Sequence, residues 1–194
     1  MNSVVESCAL EKVAIIGNSA GAPISLLYAA RHPKKVSCLV LMGGFVRGPL
    51  KRGVDPAHVS AFSQLIKDGW GKQNAAFRQL MSTQLFPHAT PEQMREFDKF
   101  QRLASDGETA AALISELSDI DLMDSLGRIS APTLILHSEH DARQPFEHAL
   151  EMADRIPNSE LQVMDTRNHI PLVHEPAFSV CMEAVVDFVK KYSE

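Results

Sequence analysis

The chain of 194 residues lacks long hydrophobic runs, and its longest ones cover only residues 13–16 and 38–42. Both are far shorter than the roughly 20 apolar residues that a membrane-spanning helix needs. The opening stretch, MNSVVESCALEK, has neither the basic start nor the long apolar segment of a secretory signal. We therefore expect a cytoplasmic protein that neither crosses a membrane nor carries a secretory signal.

Cysteines and clustered basic residues are also scarce. The three cysteines, Cys8, Cys38 and Cys181, are far apart, and none belongs to a C-x-x-C pair. This pattern favours free thiols over a disulfide framework or a zinc site. The net charge is −5 and no basic stripe is visible, so nucleic acid and anionic membranes are poor candidates for partners.

The sequence does have the composition of an ordinary globular domain, with 45% hydrophobic and 22% charged residues. Short apolar runs alternate with helical segments along the chain. They predict strands at 13–17, 36–42, 133–137 and 161–164, and helices at 23–32, 145–156 and 177–192. This alternation predicts an α/β protein with a parallel sheet.

The pattern changes between Gly44 and Ile129, where it predicts helices alone. A helical segment between two strands of a parallel sheet predicts a cap or lid over the strand ends at which ligands bind. We therefore expect three parts. They are a first part of the core at 1–44, a helical lid at 45–129 and the rest of the core at 130–194.

The segment Gly17-Asn18-Ser19-Ala20-Gly21 joins the first predicted strand to the first predicted helix. A serine on a sharp strand-to-helix turn, with glycine two residues to either side, is the pattern of a nucleophile elbow. We expect both glycines to be sterically required, because the turn is strained and strand and helix approach closely there. A plain turn serine is the alternative, but the flanking strand and helix favour a nucleophile.

A serine nucleophile needs a base, and the base needs a carboxylate that fixes its tautomer. In folds with this elbow, the order along the chain is serine, acid, histidine. Asp141 comes after the third predicted strand and is the candidate acid, with Glu139 and Asp165 as rivals. His169 comes after the last predicted strand and is the candidate base.

The other polar residues near these positions have simpler interpretations. His137 and His140 flank the acid without the spacing of a metal site, and we expect a strand-end histidine and a loop histidine. His174 and Glu175 are expected to begin the last helix and to face solvent.

Together these residues resemble the α/β-hydrolase superfamily. More narrowly, the chain resembles the hydrolase module of some LuxR-type transcriptional regulators and adenylate-cyclase-associated proteins. The segments that carry the narrower resemblance are GWGKQNAAFRQL (69–80), ATPEQMREFDKFQRL (89–103), HDARQPFE (140–147) and RNHIPLVHEP (167–176). The resemblance implies Ser19 as nucleophile, Asp141 as acid, His169 as base and the backbone N–H of Ala20 as one oxyanion donor.

The resemblance also implies segments that this sequence does not show. In that module an N-terminal half precedes the elbow and carries the first strands and the loop with the second oxyanion N–H. We therefore expect an α/β-hydrolase sheet without its first strands, in which strand 13–17 is an exposed apolar edge. Such an edge would invite a homodimer. We expect no DNA-binding helix-turn-helix on this chain.

The predicted function is hydrolysis of a small ester, lactone or related acyl substrate through a Ser-His-Asp triad, without a metal or organic cofactor. Two alternatives stay open at this point. One is a non-catalytic ligand-binding or regulatory module with the same fold, and the other is a truncated fragment of a hydrolase.

Overall fold

A computed structural model describes residues 1–8 and 10–192 of the chain. In these residues it contains four strands, β1 (Val13–Asn18), β2 (Val36–Met42), β3 (Thr133–Ser138) and β4 (Ser159–Met164). They form one sheet in the order β1-β2-β3-β4, and each neighbouring pair is parallel. The predicted α/β fold with a parallel sheet is confirmed, and each predicted strand is present at its place.

The helices alternate with the strands along the chain, and the described residues contain α1 (Asn2–Ser7), α2 (Gly21–Arg31), α3 (Pro56–Gly69), α4 (Ala76–Leu85), α5 (Pro91–Ala104), α6 (Gly107–Ser118), α7 (Met123–Leu126), α8 (Glu147–Arg155) and α9 (Pro176–Tyr192). Connections between parallel strands cross from one end of the sheet to the other, and helices serve as these crossovers. The carboxyl ends of all four strands therefore lie at the same edge of the sheet, where Ser19, Asp141 and His169 come after them.

The sheet is buried on both faces over β2 and β3. On one face, alternate strand residues pack against α9, in a cluster of Cys38, Val40, Leu134, Leu136, Met164, Cys181, Val185 and Phe188. The residues between them, including Leu39, Leu41 and Ile135, are also fully buried. These residues point to the opposite face of the sheet. There α2 contacts β1 and β2, while α8 contacts β3 and β4. Coverage of both faces explains why β2 is a nearly continuous apolar run.

The edge strand β1 is covered on one face only. Ala14 and Ile16 pair in register with Cys38 and Val40, so their side chains lie on the face that α9 covers over β2 and β3. Even so, Ile16 is 55% exposed. The described part of the chain therefore has the exposed apolar edge that the sequence predicts.

The chain forms two compact units. The first consists of residues 1–46 and 122–194, which include the sheet, and the second consists of residues 47–121, which include α3 to α6. Helix α7 contacts α2 and belongs to the first unit. The predicted lid segment, 45–129, is thus longer than the second unit and extends beyond it at both the N-terminal and the C-terminal boundary.

The helix starts of the second unit are explained by local sequence. The Asp55 side chain accepts a hydrogen bond from the Ala57 N–H at 2.8 Å, and Thr90 and Gln93 form a reciprocal capping box. The core of this unit contains one buried cation, Arg78, which is 1% exposed and pairs with Asp98 at 2.6 Å. This pair joins α4 to α5.

Candidate active site

Ser19 stands at the turn between β1 and α2 with φ of 51°, and no other non-glycine residue among those the structure describes has a positive φ. Left-handed backbone costs free energy for a residue with a Cβ, and such strain is concentrated at functional sites. The Ser19 N–H donates to the Met42 carbonyl at 2.8 Å, which fastens the turn to the end of β2. The serine therefore occupies the strained elbow geometry that its motif predicts.

The two glycines of this elbow differ. A Cβ on Gly17 would lie 2.7 Å from Ser25 Oγ and 2.9 Å from the Ala22 Cα, because β1 and α2 approach closely there. A Cβ on Gly21 would meet nothing within 4 Å, and its φ is not positive. The expectation that both glycines are sterically required is confirmed for Gly17 and wrong for Gly21, since the helix has already turned away from the strand at its first residue.

The structure brings the candidate base and acid together at the ends of β4 and β3. His169 Nδ1 lies 2.5 Å from Asp141 Oδ2, and both side chains are buried, at 2% and 0% exposure. The rival acids Glu139 and Asp165 are both exposed. The geometry therefore pairs His169 with Asp141.

Backbone donors complete the surroundings of the Asp141 carboxylate. Its Oδ1 accepts hydrogen bonds from the N–H groups of Arg143 at 2.8 Å and Gln144 at 3.0 Å. Burial by itself raises the pKa of Asp141, but the hydrogen bonds from His169 and from these two N–H groups outweigh it and hold the pKa below its ordinary value. An ionised carboxylate at Nδ1 keeps the proton on that nitrogen and leaves Nε2 as the basic atom of His169.

The His169 ring lies against the backbone of Gly43, a residue that the sequence interpretation did not single out. Gly43 has φ of 56°, and a Cβ there would lie 2.6 Å from His169 Cε1. Gly43 comes directly after Met42, the residue that accepts the Ser19 N–H. The imidazole and the elbow therefore lie at the same corner of the sheet. The signal in the sequence was the pair Gly43-Gly44 directly after a buried strand.

Ser19 is not hydrogen bonded to His169 in this structure. The His169 Nε2 is buried and has no hydrogen-bond partner among the described residues. In unliganded sites the catalytic hydrogen bonds are often long and tighten only when substrate binds. The structure thus joins the predicted base and acid directly and places the predicted nucleophile in the neighbouring elbow.

The predicted oxyanion donor is the residue after Ser19, at the start of α2. Ala20 is the N-cap residue of this helix. The N–H groups of a first helical turn have no acceptor within the helix, and the positive end of the helix dipole lies there. A developing negative charge near Ser19 would therefore be stabilised by this end of α2.

His137 contacts the same carboxylate as His169, which the sequence did not reveal. It is the strand-end histidine predicted on β3 and is fully buried, whereas His140 is exposed. His137 Nε2 lies 2.9 Å from the Gln144 carbonyl and 3.6 Å from Asp141 Oδ2. Burial lowers the pKa of His137, and the Gln144 bond and the Asp141 charge offset it only in part. A neutral His137 therefore donates from Nε2 to the Gln144 carbonyl and lies near the same carboxylate oxygen that His169 contacts.

The expectation that Glu175 begins the last helix and faces solvent is wrong. Helix α9 begins at Pro176, and Glu175 is partly buried in the loop after β4. Its carboxylate accepts three hydrogen bonds from within this loop. His174, by contrast, is exposed.

Residues 1–8 and 10–192 contain neither a candidate metal centre nor a membrane-spanning helix. In this part of the chain, no three His, Cys, Asp or Glu side chains are grouped so that they could hold a metal ion. No helix there has both the length and the apolar character needed to cross a membrane.

Comparison with known proteins places this geometry in context. Residues 1–176 match the family described as alpha/beta hydrolase fold. A 2-hydroxy-6-oxononadienedioate/2-hydroxy-6-oxononatrienedioate hydrolase of Dechloromonas aromatica is 24% identical over 177 residues, which cover 87% of this chain and 60% of the relative. A pimeloyl-[acyl-carrier protein] methyl ester esterase of Aliivibrio fischeri is 26% identical, with 84% of this chain and 65% of the relative covered.

A solved structure is similar over nearly the whole chain. The esterase EaEST from Exiguobacterium antarcticum superimposes with a TM-score of 0.82 at 26% identity, and the match covers 97% of this chain and 70% of that one. This chain therefore spans 60–65% of the length of the two curated relatives named above and 70% of this solved structure.

Proposed function

Because this chain belongs to the alpha/beta hydrolase fold family, we propose that it is a serine hydrolase acting on a small ester, lactone or related acyl substrate. The observation that carries the proposal is the buried His169–Asp141 pair, 2.5 Å apart, beside an elbow that holds Ser19 at φ of 51°. Acyl transfer needs a positioned nucleophile, a base with a free nitrogen and an ionised partner for that base.

The proposed reaction has two halves, acylation of Ser19 and hydrolysis of the acyl-enzyme, and the same groups act in both. Ser19 Oγ attacks the acyl carbon while His169 Nε2 takes the hydroxyl proton, and Asp141 stabilises the imidazolium that forms. The Ala20 N–H stabilises the oxyanion of the tetrahedral intermediate. The imidazolium then gives its proton to the leaving alkoxide. In the second half, His169 takes a proton from the water that attacks the acyl-enzyme. The imidazolium then gives this proton to Ser19 Oγ as the bond to the acyl carbon breaks, which releases the carboxylic acid and restores the serine hydroxyl.

Esters are the first substrate class to examine. One curated relative is named a methyl ester esterase, and the similar solved structure is named an esterase. The described residues provide one candidate oxyanion donor, and loss of one such donor costs about 10²–10³-fold in rate in enzymes that use two. A slow enzyme on simple esters is therefore compatible with the proposal.

A second candidate is a ligand-binding module in which turnover is lost. The observation that favours it is the buried His169 Nε2, which does not reach Ser19 in this structure. The narrower resemblance to the module of LuxR-type regulators fits this candidate and stays a prediction. It predicts thermal stabilisation by a small apolar ester that remains intact.

Hydrolysis of p-nitrophenyl esters, from acetate to octanoate, separates the two candidates. We expect turnover by the wild type and a loss of about 10⁴-fold or more in Ser19→Ala, because the nucleophile is gone. Ser60→Ala is the matched control, since Ser60 is exposed on α3. Equal turnover by wild type and Ser19→Ala would overturn the proposal, and stabilisation without turnover would favour the binding module.

A further inference from the structure

We infer that Glu175 is a positioning residue for the base, whose carboxylate holds the loop that presents His169 to Asp141. This inference rests on the proposed function, in which His169 takes the proton of Ser19. Glu175 itself does not touch the reacting atoms. It acts through the loop between β4 and α9.

The carboxylate binds the loop on both sides of His169. Thr166 Oγ1 donates to Glu175 Oε1 at 2.8 Å, and Asn168 Nδ2 donates to Oε2 at 3.0 Å. From the other side, the Leu172 N–H donates to Oε2 at 2.5 Å. One side chain therefore closes residues 166–172 into a loop with His169 inside it.

The same network continues to the loop that carries the acid. The Thr166 hydroxyl also accepts from the Asn168 N–H at 3.0 Å, so it is shared between backbone and carboxylate. The Ser138 hydroxyl donates to the Thr166 carbonyl, and Ser138 Oγ accepts from the His140 N–H at 3.2 Å. Ser138, Thr166 and Asn168 are all buried. Glu175 is thus linked, through two side chains, to the start of the Asp141 loop.

A capping role for α9 does not explain these bonds. The three partners of the Glu175 carboxylate all precede the helix, whereas a capping side chain would accept from the N–H groups of its first turn. All of the partners are donors, and an ionised carboxylate is the side chain that offers only acceptors. Burial raises the pKa of Glu175, but these bonds and the nearby His174 outweigh it, so the pKa is lowered.

The consequence for the base is geometric. Among the residues that the structure describes, the His169 side chain is hydrogen bonded to Asp141, and its position otherwise depends on the path of its own loop. A displacement of about 1 Å in a reacting group costs about 10²-fold in rate. Opening the loop should therefore lower kcat more than it changes KM, since substrate binding is left in place.

The test compares Glu175→Ala, Glu175→Gln and the control Glu183→Ala, whose side chain is exposed on α9. The readouts are kcat and KM on p-nitrophenyl acetate and the low-field proton resonance of His169 Nδ1–H, identified by its absence in His169→Asn. We expect Glu175→Ala to lose about 10²-fold in kcat with KM little changed, and to lose the resonance. Glu175→Gln should recover part of both, because its amide oxygen still accepts from Asn168 and Leu172, whereas its NH₂ cannot accept the Thr166 hydroxyl proton.

A folded Glu175→Ala with wild-type kcat and an unchanged resonance would overturn the inference. If the wild type hydrolyses no ester, the proposed function fails, while the resonance still decides whether Glu175 holds the imidazole. If Glu175→Ala does not fold, Thr166→Val is measured in its place, since it removes the Thr166–Glu175 bond, and with it the Asn168 N–H bond to the same hydroxyl, at nearly constant volume. In that variant, reduced kcat with a broadened resonance supports the inference, and wild-type values of both contradict it.

Discussion

At the scale of single residues, the protonation of the candidate site is determined by Asp141. Its carboxylate is buried, accepts two backbone N–H groups and the His169 imidazole, and stays ionised. The proton on Nδ1 is thereby fixed, and Nε2 is the nitrogen left for Ser19. A residue of the same size without this charge at position 141 should therefore keep the fold, but His169 should no longer be held with its proton on Nδ1.

Replacement of Asp141 by asparagine tests this point. The amide can present its NH₂ to Nδ1, which stabilises the tautomer with the proton on Nε2, so we expect kcat to fall by about 10⁴-fold. Glu139→Gln is the matched control, because Glu139 is an exposed carboxylate on the same loop. Steady-state ester hydrolysis by both variants, beside their melting temperatures, measures the effect. Similar losses in the two variants would contradict the assignment of the acid.

The lowered pKa of His137 leads to a prediction of how the stability of the protein depends on pH. Its lowered pKa means that the unfolded chain binds a proton at a pH where the native His137 does not. The stability it contributes is complete above the ordinary histidine pKa of about 6.5 and is lost as pH falls from there towards the lowered value. We expect the unfolding free energy to decrease as pH falls below about 6.5. The slope should be smaller in His137→Gln and unchanged in His140→Gln, whose histidine is exposed. Identical slopes in all three proteins would show that His137 is not the titrating group.

At the scale of elements, the elbow between β1 and α2 shows which glycine of the motif is required for steric reasons. Gly17 is required by the approach of Ser25 and Ala22, whereas Gly21 faces open space. The motif positions alone could not separate the two, because the difference depends on where the helix axis passes the strand.

The two glycines form a matched pair of substitutions. Gly17→Ala should destabilise the protein by about 1–3 kcal/mol, since the new methyl group meets the backbone of α2. Gly21→Ala should be neutral or stabilising by less than about 1 kcal/mol, because it adds a helix former at an open position. Chemical unfolding of both variants and the wild type gives these values. Equal destabilisation by the two changes would contradict the packing described for the elbow.

The same contrast explains how far the elements and the site could be predicted. Strands β1 to β4 are encoded by apolar runs, and Ser19, Asp141 and His169 lie in the short segments directly after those runs. The strands and these candidate residues could therefore be predicted from local patterns in the sequence. Glu175, Gly43 and the contact of His137 with Asp141 were missed because they depend on how loops close in space. No periodicity or spacing encodes those contacts.

At the scale of the whole molecule, the edge strand β1 is an unusual surface. It contains no charged residue, its outer side is unpaired among the described residues, and Ile16 on its uncovered face is 55% exposed. Native sheets protect their edges with charges, prolines or bulges, and an unprotected edge pairs with another chain. A two-fold axis beside β1 would let two copies pair their identical strands antiparallel.

We predict that the chain forms a homodimer through β1. Ile16→Lys should convert it to a monomer, because the charge would be buried in the pairing. Val163→Lys is the matched control, since Val163 is 49% exposed on β4 at the opposite edge. Light scattering coupled to size-exclusion chromatography measures the mass in solution. A monomeric wild type, or a dimer that survives Ile16→Lys, would contradict the prediction.

The whole molecule is proposed to assemble an activated serine at Ser19. Labelling with a fluorophosphonate probe, read by intact mass, detects such a serine, because these probes react with a serine that a base has activated. We predict one adduct on the wild type, none on Ser19→Ala and a strongly slowed reaction in Asp141→Asn. Soluble, folded wild-type protein that forms no adduct, or an adduct that persists in Ser19→Ala, would contradict the claim.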